Sequence, residues 1–269
     1  MTKQFKKALI TGASSGIGYE LAKLLASKGI DLLLTGRDRN RLDQLQAELN
    51  PLGVSSQIYS FDLGKREDRI ALQQLIRTQS PNLVINNAGC GLYGDAILHS
   101  LETHSELLDV NVKAVLELTL VAAETLKKQH LSGIILNVSS AAAFLPFPSF
   151  ATYSASKAFL NQFSLSIDTE LQPYNIRVLT ACPGQVATKF RERSSRGFPQ
   201  KEEFYTMSPQ LAAVKIWKQI EEKIPLYIFD WRTRWAIRLA NNFLPRRLIA
   251  YILKKQIDSR HNFGKDKES

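Results

Sequence analysis

KALITGASSGIGYELAKLLASKG, residues 7–29, is the stretch that decides the fold. Its start, KALIT (7–11), reads as a short aliphatic strand, and its end, GYELAKLLASKG (18–29), reads as a helix. Between them TGASSGIG (11–18) sets glycines at 12, 16 and 18, a GxxxGxG spacing instead of the commoner GxGxxG. Glycine admits unusual dihedrals and close backbone approach. The helix start offers free N–H groups and a positive dipole end to a pyrophosphate. A glycine turn also joins strand to helix without any ligand. Its place at the first strand–helix turn favours the dinucleotide reading, with Gly12, Ser14, Ser15, Gly16, Ile17 and Gly18 as contacts.

Working outward, the same alternation continues. DLLLT (31–35), SSQIYSF (55–61), NLVIN (82–86), GIILNVSS (133–140), NIRVLTA (175–181) and PLYIF (225–229) read as strands. Helical patterns cover 39–49, 66–78, one long helix over about 103–129, and a helix from YSASK to about Leu171. Seven strands separated by helices, several of them continuous apolar runs, imply an α/β fold. We expect a doubly wound, Rossmann-type parallel seven-stranded sheet with helices on both faces. Residues 1–229 form the expected dinucleotide-binding catalytic domain, and 230–269 a basic, amphipathic helical extension.

The chain has 269 residues, enough for one large domain with a proper core. No run is long and apolar enough to span a membrane. MTKQFKKALITGA has no apolar stretch before the glycine turn, so no signal peptide is expected. Two cysteines, Cys90 and Cys182, suit a reduced, cytoplasmic compartment and make no disulfide framework. They read as small buried fillers and not as nucleophiles. The four histidines are scattered, so no metal site is expected.

The second strand chooses between the two nicotinamide cofactors. A carboxylate at its end would bind the ribose hydroxyl of NAD. Asp38 stands at about that distance, so NAD(H) stays open as the second choice. NADP(H) is preferred, because Gly36 leaves the strand end bare and Arg37 can pair with a 2′-phosphate. Asp38 then reads as the cap of the next helix.

Further on, YSASK (153–157) sets a phenol and an ammonium one helical turn apart, on one face. With these pieces, the chain resembles the short-chain dehydrogenase/reductase family. The resemblance runs through TGASSGIG (11–18), FDL (61–63), NNAG (86–89), Asn111 in DVNVKAV, NVSS (137–140), YSASK (153–157) and PGQVAT (183–188). It covers about 225 residues, with the motifs in family order. It implies a tetrad of Asn111, Ser140, Tyr153 and Lys157, Ser140 being taken over Ser139 by its spacing to Tyr153. It also implies cofactor contacts at Asp62 and Leu63 (adenine), Asn87, Ala88 and Gly89 (ribose wall), and Pro183, Gly184, Val186 and Thr188 (nicotinamide amide). Tyr153 and Lys157 complete that set, Lys157 holding the nicotinamide ribose.

The chemistry follows. Reducing a ketone needs a hydride at carbon and a proton at oxygen. A free tyrosine is a poor acid–base group at neutral pH. A nearby ammonium and an oxidised nicotinamide lower its pKa. Ser140 would bind the carbonyl oxygen, and Asn111 would hold a water linking Lys157 to solvent. The expected reaction interconverts a carbonyl and a secondary alcohol, with Tyr153 as acid–base. The alternative is a non-catalytic NADP(H)-binding or redox-sensing protein.

CGLYG (90–94) and the run holding Phe144, Leu145, Phe147 and Phe150 either line an apolar pocket or serve as packing. If they line it, the small-molecule substrate is hydrophobic. KFRERSSRGFPQKEEFYTM (189–207) is too polar for a packed helix and stands where the family has a mobile lid. In the extension, Trp231, Trp235, Leu239 and Phe243 recur every four residues, and Pro245 separates a second helix. From Leu226 onward ten Lys/Arg oppose four acids, and the end from about Asn262 reads as frayed. This stripe either packs on protein, its own or a neighbouring subunit's, or contacts a membrane surface. No basic segment matches a nucleic-acid motif. The two long helices offer a symmetric interface for a homo-oligomer.

Overall fold

The computed structural model describes residues 5–195 and 206–261, with side chains through Lys255 in the last helix. The chain alternates β1 (Lys7–Thr11), α1 (Gly16–Ser27), β2 (Asp31–Gly36), α2 (Arg39–Leu49), β3 (Ser56–Ser60), α3 (Arg66–Gln79) and β4 (Leu83–Asn86). After β4 come α4 (Leu101–Leu108), a π-helical turn (Asp109–Ala114) and α5 (Val115–Lys128). The second half runs β5 (Gly133–Val138), α6 (Ala151–Leu171), β6 (Ile176–Cys182), α7 (Lys189–Ser195), α8 (Pro209–Glu222) and β7 (Leu226–Ile228). Two helices follow, α9 (Trp231–Phe243) and α10 (Arg246–His261).

The strands form one parallel sheet in the order β3-β2-β1-β4-β5-β6-β7. Their aliphatic runs are buried on both faces, as a parallel sheet between helical layers requires. One layer packs Leu21, Leu25, Leu42, Ala212 and Ile216 against Ile10, Leu34 and Ile85. The other packs Leu72, Leu118, Leu126 and Ile167 against Leu9, Val84 and Ile135. The order reverses between β1 and β4, so loops leave their ends in opposite directions and a crevice opens there.

A polar chain crosses the second layer. The Asn86 amide donates to Asn137 Oδ1 at 2.8 Å and to Thr119 Oγ1 at 3.2 Å, and the Asn137 amide donates to Ser164 Oγ at 2.9 Å. It ties α5 and α6 to β4 and β5 in one register.

Four expectations meet a different structure. The long helix expected over 103–129 starts at Leu101 and is broken by the π turn, which carries the buried Asn111. That turn holds one residue more than an α turn, and the Asn111 side chain engages both backbone groups of Cys90 instead of facing along the helix. The stretch said to be too polar for a packed helix forms α7 over its first seven residues, with Ser194 and Ser195 buried. Their hydroxyls donate to the carbonyls of Phe190 and Glu192, so serine polarity is met inside the helix. The rest of that stretch, 196–205, lies outside the described residues, as does the tail from Asn262. The α8 helix has no counterpart among the expected elements, although Ser208 caps it and Pro209 opens it. Finally, the Trp231, Trp235, Leu239 and Phe243 stripe is not buried on its own chain among the described residues. These side chains are 64, 54, 51 and 75% exposed, while Ile237, on another face of α9, packs with Cys182 and Ile228.

Asp168 anchors α6 to β6. Its buried carboxylate accepts from Arg177 Nε (2.8 Å), Arg177 Nη2 (2.9 Å) and the Val178 N–H (2.7 Å). Removing it strands a guanidinium and a buried N–H. Asp168→Ala is expected to lower unfolding free energy by about 3 kcal/mol, read as a drop in the urea midpoint. A change under about 0.5 kcal/mol would show that the anchor contributes little.

Candidate active site

The glycine turn, the ends of β4, β5 and β6 and the starts of α6 and α7 enclose a cleft of about 1360 Å³. Gly12, with φ +68°, and Gly16, with φ +60°, take the left-handed backbone that disfavours side chains. A Cβ on Gly12 would stand 2.9 Å from Ala88 Cα, and one on Gly16 2.9 Å from a Thr188 methyl. Ser15 begins α1 without a side-chain cap, so the first turn of that helix opens onto the cleft. A bare cradle at an uncapped helix start fits the diphosphate of a dinucleotide.

Ser14, Ser15, Ile17, Arg37, Asp62, Leu63, Asn87, Ala88 and Gly89 line the cleft with Gly12 and Gly16. On its far side stand Ser140, Tyr153, Lys157, Pro183, Gly184, Val186 and Thr188. Two of the expected site residues do not line it. Gly18 is buried behind the turn, where a Cβ would strike Asn87 Nδ2 and the Gly12 carbonyl. Asn111 stands behind Cys90. Its Oδ1 accepts from the Cys90 N–H at 3.0 Å, and its amide donates to the Cys90 carbonyl at 2.8 Å and to Ser156 Oγ at 3.1 Å. Both amide hydrogens are thus engaged, and the Cys90 thiol also faces Oδ1, at 4.0 Å. The Asn87 amide likewise braces the turn, donating to the carbonyls of Thr11 (2.9 Å) and Gly12 (3.3 Å). Asp38 caps α2 through the Arg41 N–H at 3.1 Å.

Tyr153 and Lys157 sit on the inward face of α6. Lys157 Nζ donates to the Val138 carbonyl at 2.9 Å, and Ser139 Oγ donates to the Lys157 carbonyl at 3.0 Å. The ammonium lies 5.8 Å from the Tyr153 ring centre. Burial drives its pKa down to about 8. Burial drives the Tyr153 phenol up from its ordinary value, and a hydrogen bond with Ser140 pulls the other way. Burial is the largest influence among the protein groups; the depression expected from the sequence also invoked the charge of an oxidised nicotinamide. Cys182 is buried, its thiol facing Asn161 Oδ1 at 3.5 Å and pushed up to about 12 by burial, which suits inert packing.

Tyr153 is walled by aromatic rings. Phe150 stacks on it at 4.1 Å and on Tyr93 at 3.9 Å, and Phe190 of α7 lies 5.7 Å away. Leu92, Leu145, Phe147 and Trp231 extend the apolar lining. Phe144 instead packs with Ile228 and Ile237, so the aromatic run divides between pocket and packing. Arg193 escaped the reading of the sequence. It reaches from α7 to Ser15 Oγ at 3.2 Å across 178 residues, a distance no local pattern encodes.

A sequence profile described as short chain dehydrogenase matches residues 6–197. The chain belongs to the short-chain dehydrogenase/reductase family. It is therefore an oxidoreductase of that family. A very-long-chain 3-oxoacyl-CoA reductase from Anas platyrhynchos is 31% identical over 235 residues, 83% of this chain and 73% of that one. A short-chain dehydrogenase from Sphingobium yanoikuyae, solved in complex with NADPH, superposes with a TM-score of 0.80 at 27% identity, covering 98% of this chain and all of that one. A Burkholderia phymatum member in complex with NAD has a TM-score of 0.79 at 23% identity, covering 88% and 92%, and speaks for the fold. No helix among the described residues is long and apolar enough to cross a membrane.

Lys157 gives a stability signature. Its folded pKa of about 8 lies below the unfolded value of 10.5, so below pH 8 the folded state bears the full cost of a buried charge. Between pH 8 and 10.5 the unfolded chain holds more protons, and stability rises with pH. Lys157→Met is expected to be more stable than wild type at pH 7 by about 2 kcal/mol, allowing for the lost bond to Val138. The gap should narrow from pH 8 to 10, measured by urea unfolding. A gap independent of pH would show that the ammonium is not paying a burial penalty.

Proposed function

We propose that this chain is an NADP(H)-dependent reductase that converts a hydrophobic ketone to a secondary alcohol. The observation that carries the reading is Tyr153, hydrogen-bonded to Ser140, set between an aromatic wall and the buried ammonium of Lys157. Ser140 and Tyr153 would grip the carbonyl oxygen from one side. The bound dinucleotide supplies the hydride that reaches the carbonyl carbon. Tyr153 gives its proton to the oxygen, and its raised pKa keeps that proton in place until charge develops there. Lys157 then stabilises the phenolate so formed, which regains its proton from solvent. Asn111 holds the Cys90 backbone, and with it the loop beside Lys157.

Arg37 favours NADP(H): it lines the cleft, and the only carboxylate at that strand end is engaged as a helix cap. The remaining proposed contacts line the cleft: Gly12, Ser14, Ser15, Gly16, Ile17, Asp62, Leu63, Asn87, Ala88, Gly89, Lys157, Pro183, Gly184, Val186 and Thr188; Gly18 would act only by letting the turn close. The aromatic lining favours a long or bulky apolar carbonyl, and the 3-oxoacyl-CoA relative adds the acyl thioester as one candidate class.

Residues 1–229 would be the catalytic domain and 230–269 an extension. Exposed Leu101, Leu108, Leu120, Phe159 and Leu165 on α4 to α6 favour a homo-oligomer built on that face. For the extension, a membrane surface is favoured by its exposed tryptophan stripe and by seven Lys/Arg with no acid over residues 231–255. The protein would then be a cytoplasmic enzyme resting on a lipid face.

A carbonyl panel of apolar ketones, 3-oxoacyl thioesters and small polar sugars, followed by NADPH oxidation, tests the reading. Turnover is expected on the apolar members. Tyr153→Phe should reduce kcat at least 10³-fold, a loss of about 4 kcal/mol or more in transition-state stabilisation, with NADPH affinity kept. NADPH binding without turnover on any carbonyl would favour the non-catalytic alternative. In a flotation assay, the full chain is expected to rise with anionic vesicles and a chain lacking residues 231–269 to stay below. Equal behaviour of the two would remove the membrane contact.

A further inference from the structure

α7 brings a second guanidinium to the edge of the glycine turn. Arg193 Nη2 donates to Ser15 Oγ at 3.2 Å, at the uncapped start of α1. Arg37, at the end of β2, lines the same cleft, and Arg41 stands one turn into α2. Partial burial, and then the positive charges of Arg37 and Arg41, pull the Arg193 pKa below its usual value, with Glu192 opposing them. Arg193 and Arg37 thus line one cleft, with Arg41 near enough for its charge to be felt at Arg193. Asp38 is engaged as the α2 cap, and Asp43 is paired with Arg39 at 3.1 Å. Gathering cations this way costs energy unless an anion shares them.

We infer that Arg193 is a phosphate-binding residue of the cofactor site, closing from the α7 side on the group that Arg37 approaches from the β2 side. The inference rests on the dinucleotide reading and adds to it a residue from the substrate side. A guanidinium suits the role because its planar fork gives two parallel hydrogen bonds to phosphate oxygens. Two phosphates are within the chemistry: the 2′-phosphate of NADP(H), and the diphosphate at the helix start.

The same seven-residue helix also serves the substrate. Phe190, one turn before Arg193, faces Tyr153 at 5.7 Å, and the Ser194 carbonyl accepts from the Tyr93 N–H at 3.1 Å. A phosphate bound to Arg193 would therefore hold Phe190 and the Tyr93 loop in place. Cofactor occupancy would sharpen the substrate pocket without touching it.

The test is a fluorescence titration of the full chain with NADPH and with NADH, using wild type, Arg193→Leu, Arg193→Lys and Arg37→Leu. Thermal melts of each variant confirm folding. Arg193→Leu is expected to weaken NADPH at least ten-fold, and Arg193→Lys to recover part of the loss, since charge returns without the fork. A loss confined to NADPH assigns Arg193 to the 2′-phosphate; an equal loss for NADH assigns it to the diphosphate. Unchanged NADPH affinity in Arg193→Leu, with a clear loss in Arg37→Leu, overturns the role of Arg193 and leaves the cofactor reading standing. Wild-type protein that binds neither dinucleotide overturns both.

Discussion

The site depends on how α6 is pinned to the end of β5. Two reciprocal bonds do this: the Lys157 ammonium donates to the Val138 carbonyl, and Ser139 donates to the Lys157 carbonyl. The strand end thus holds the helix by both side chain and backbone of one residue. Tyr153 lies one turn earlier and is carried to the cleft beside Ser140, the next residue of the same strand exit. A buried ammonium is an expensive way to fasten a helix. On the proposed reading the charge would be kept for what it does to neighbouring groups and not for stability.

Around this joint the two halves of the cleft have opposite character. The glycine-turn side is bare backbone, an open helix start and arginines. The α6 side is stacked rings. On the proposed reading a dinucleotide would occupy the first and an apolar carbonyl the second, meeting at Tyr153. α7 is the element that touches both, through Arg193 and Phe190. That is why a short helix matters more here than its few buried atoms suggest.

Much of this was legible in residue order. The seven strands and the α2 helix could be placed because aliphatic runs and helical periods alternate cleanly, and Asp38 announced its capping role by position. The cleft could be anticipated because glycines 12, 16 and 18 stand at the first strand–helix turn of an alternating pattern; their closeness to Ala88 and Thr188 came only with the fold. Contacts made across space were not legible. The π turn at Asn111 answers to the Cys90 backbone, and no helical period announces it. Arg193 read as one charge among several in a polar stretch, because its partner is at the other end of the chain. The burial of the Tyr153 phenol was hidden for a related reason: a cation one turn away is visible in a sequence, whereas the loss of water around a phenol is not. α8 was missed although its Ser-Pro start was in plain view.

The α9 helix has two addresses. Ile237 and Trp231 border the cleft, while Trp235, Leu239 and Phe243 look outward. Its Asn241 amide also donates to the Phe144 carbonyl at 3.3 Å, on the aromatic run beside the site. One rigid rod therefore forms both part of a reaction chamber's rim and part of the molecule's outer skin. Were that rod to couple an occupant of the rim to a contact on the skin, reciprocity would make each alter the other's affinity by the same factor.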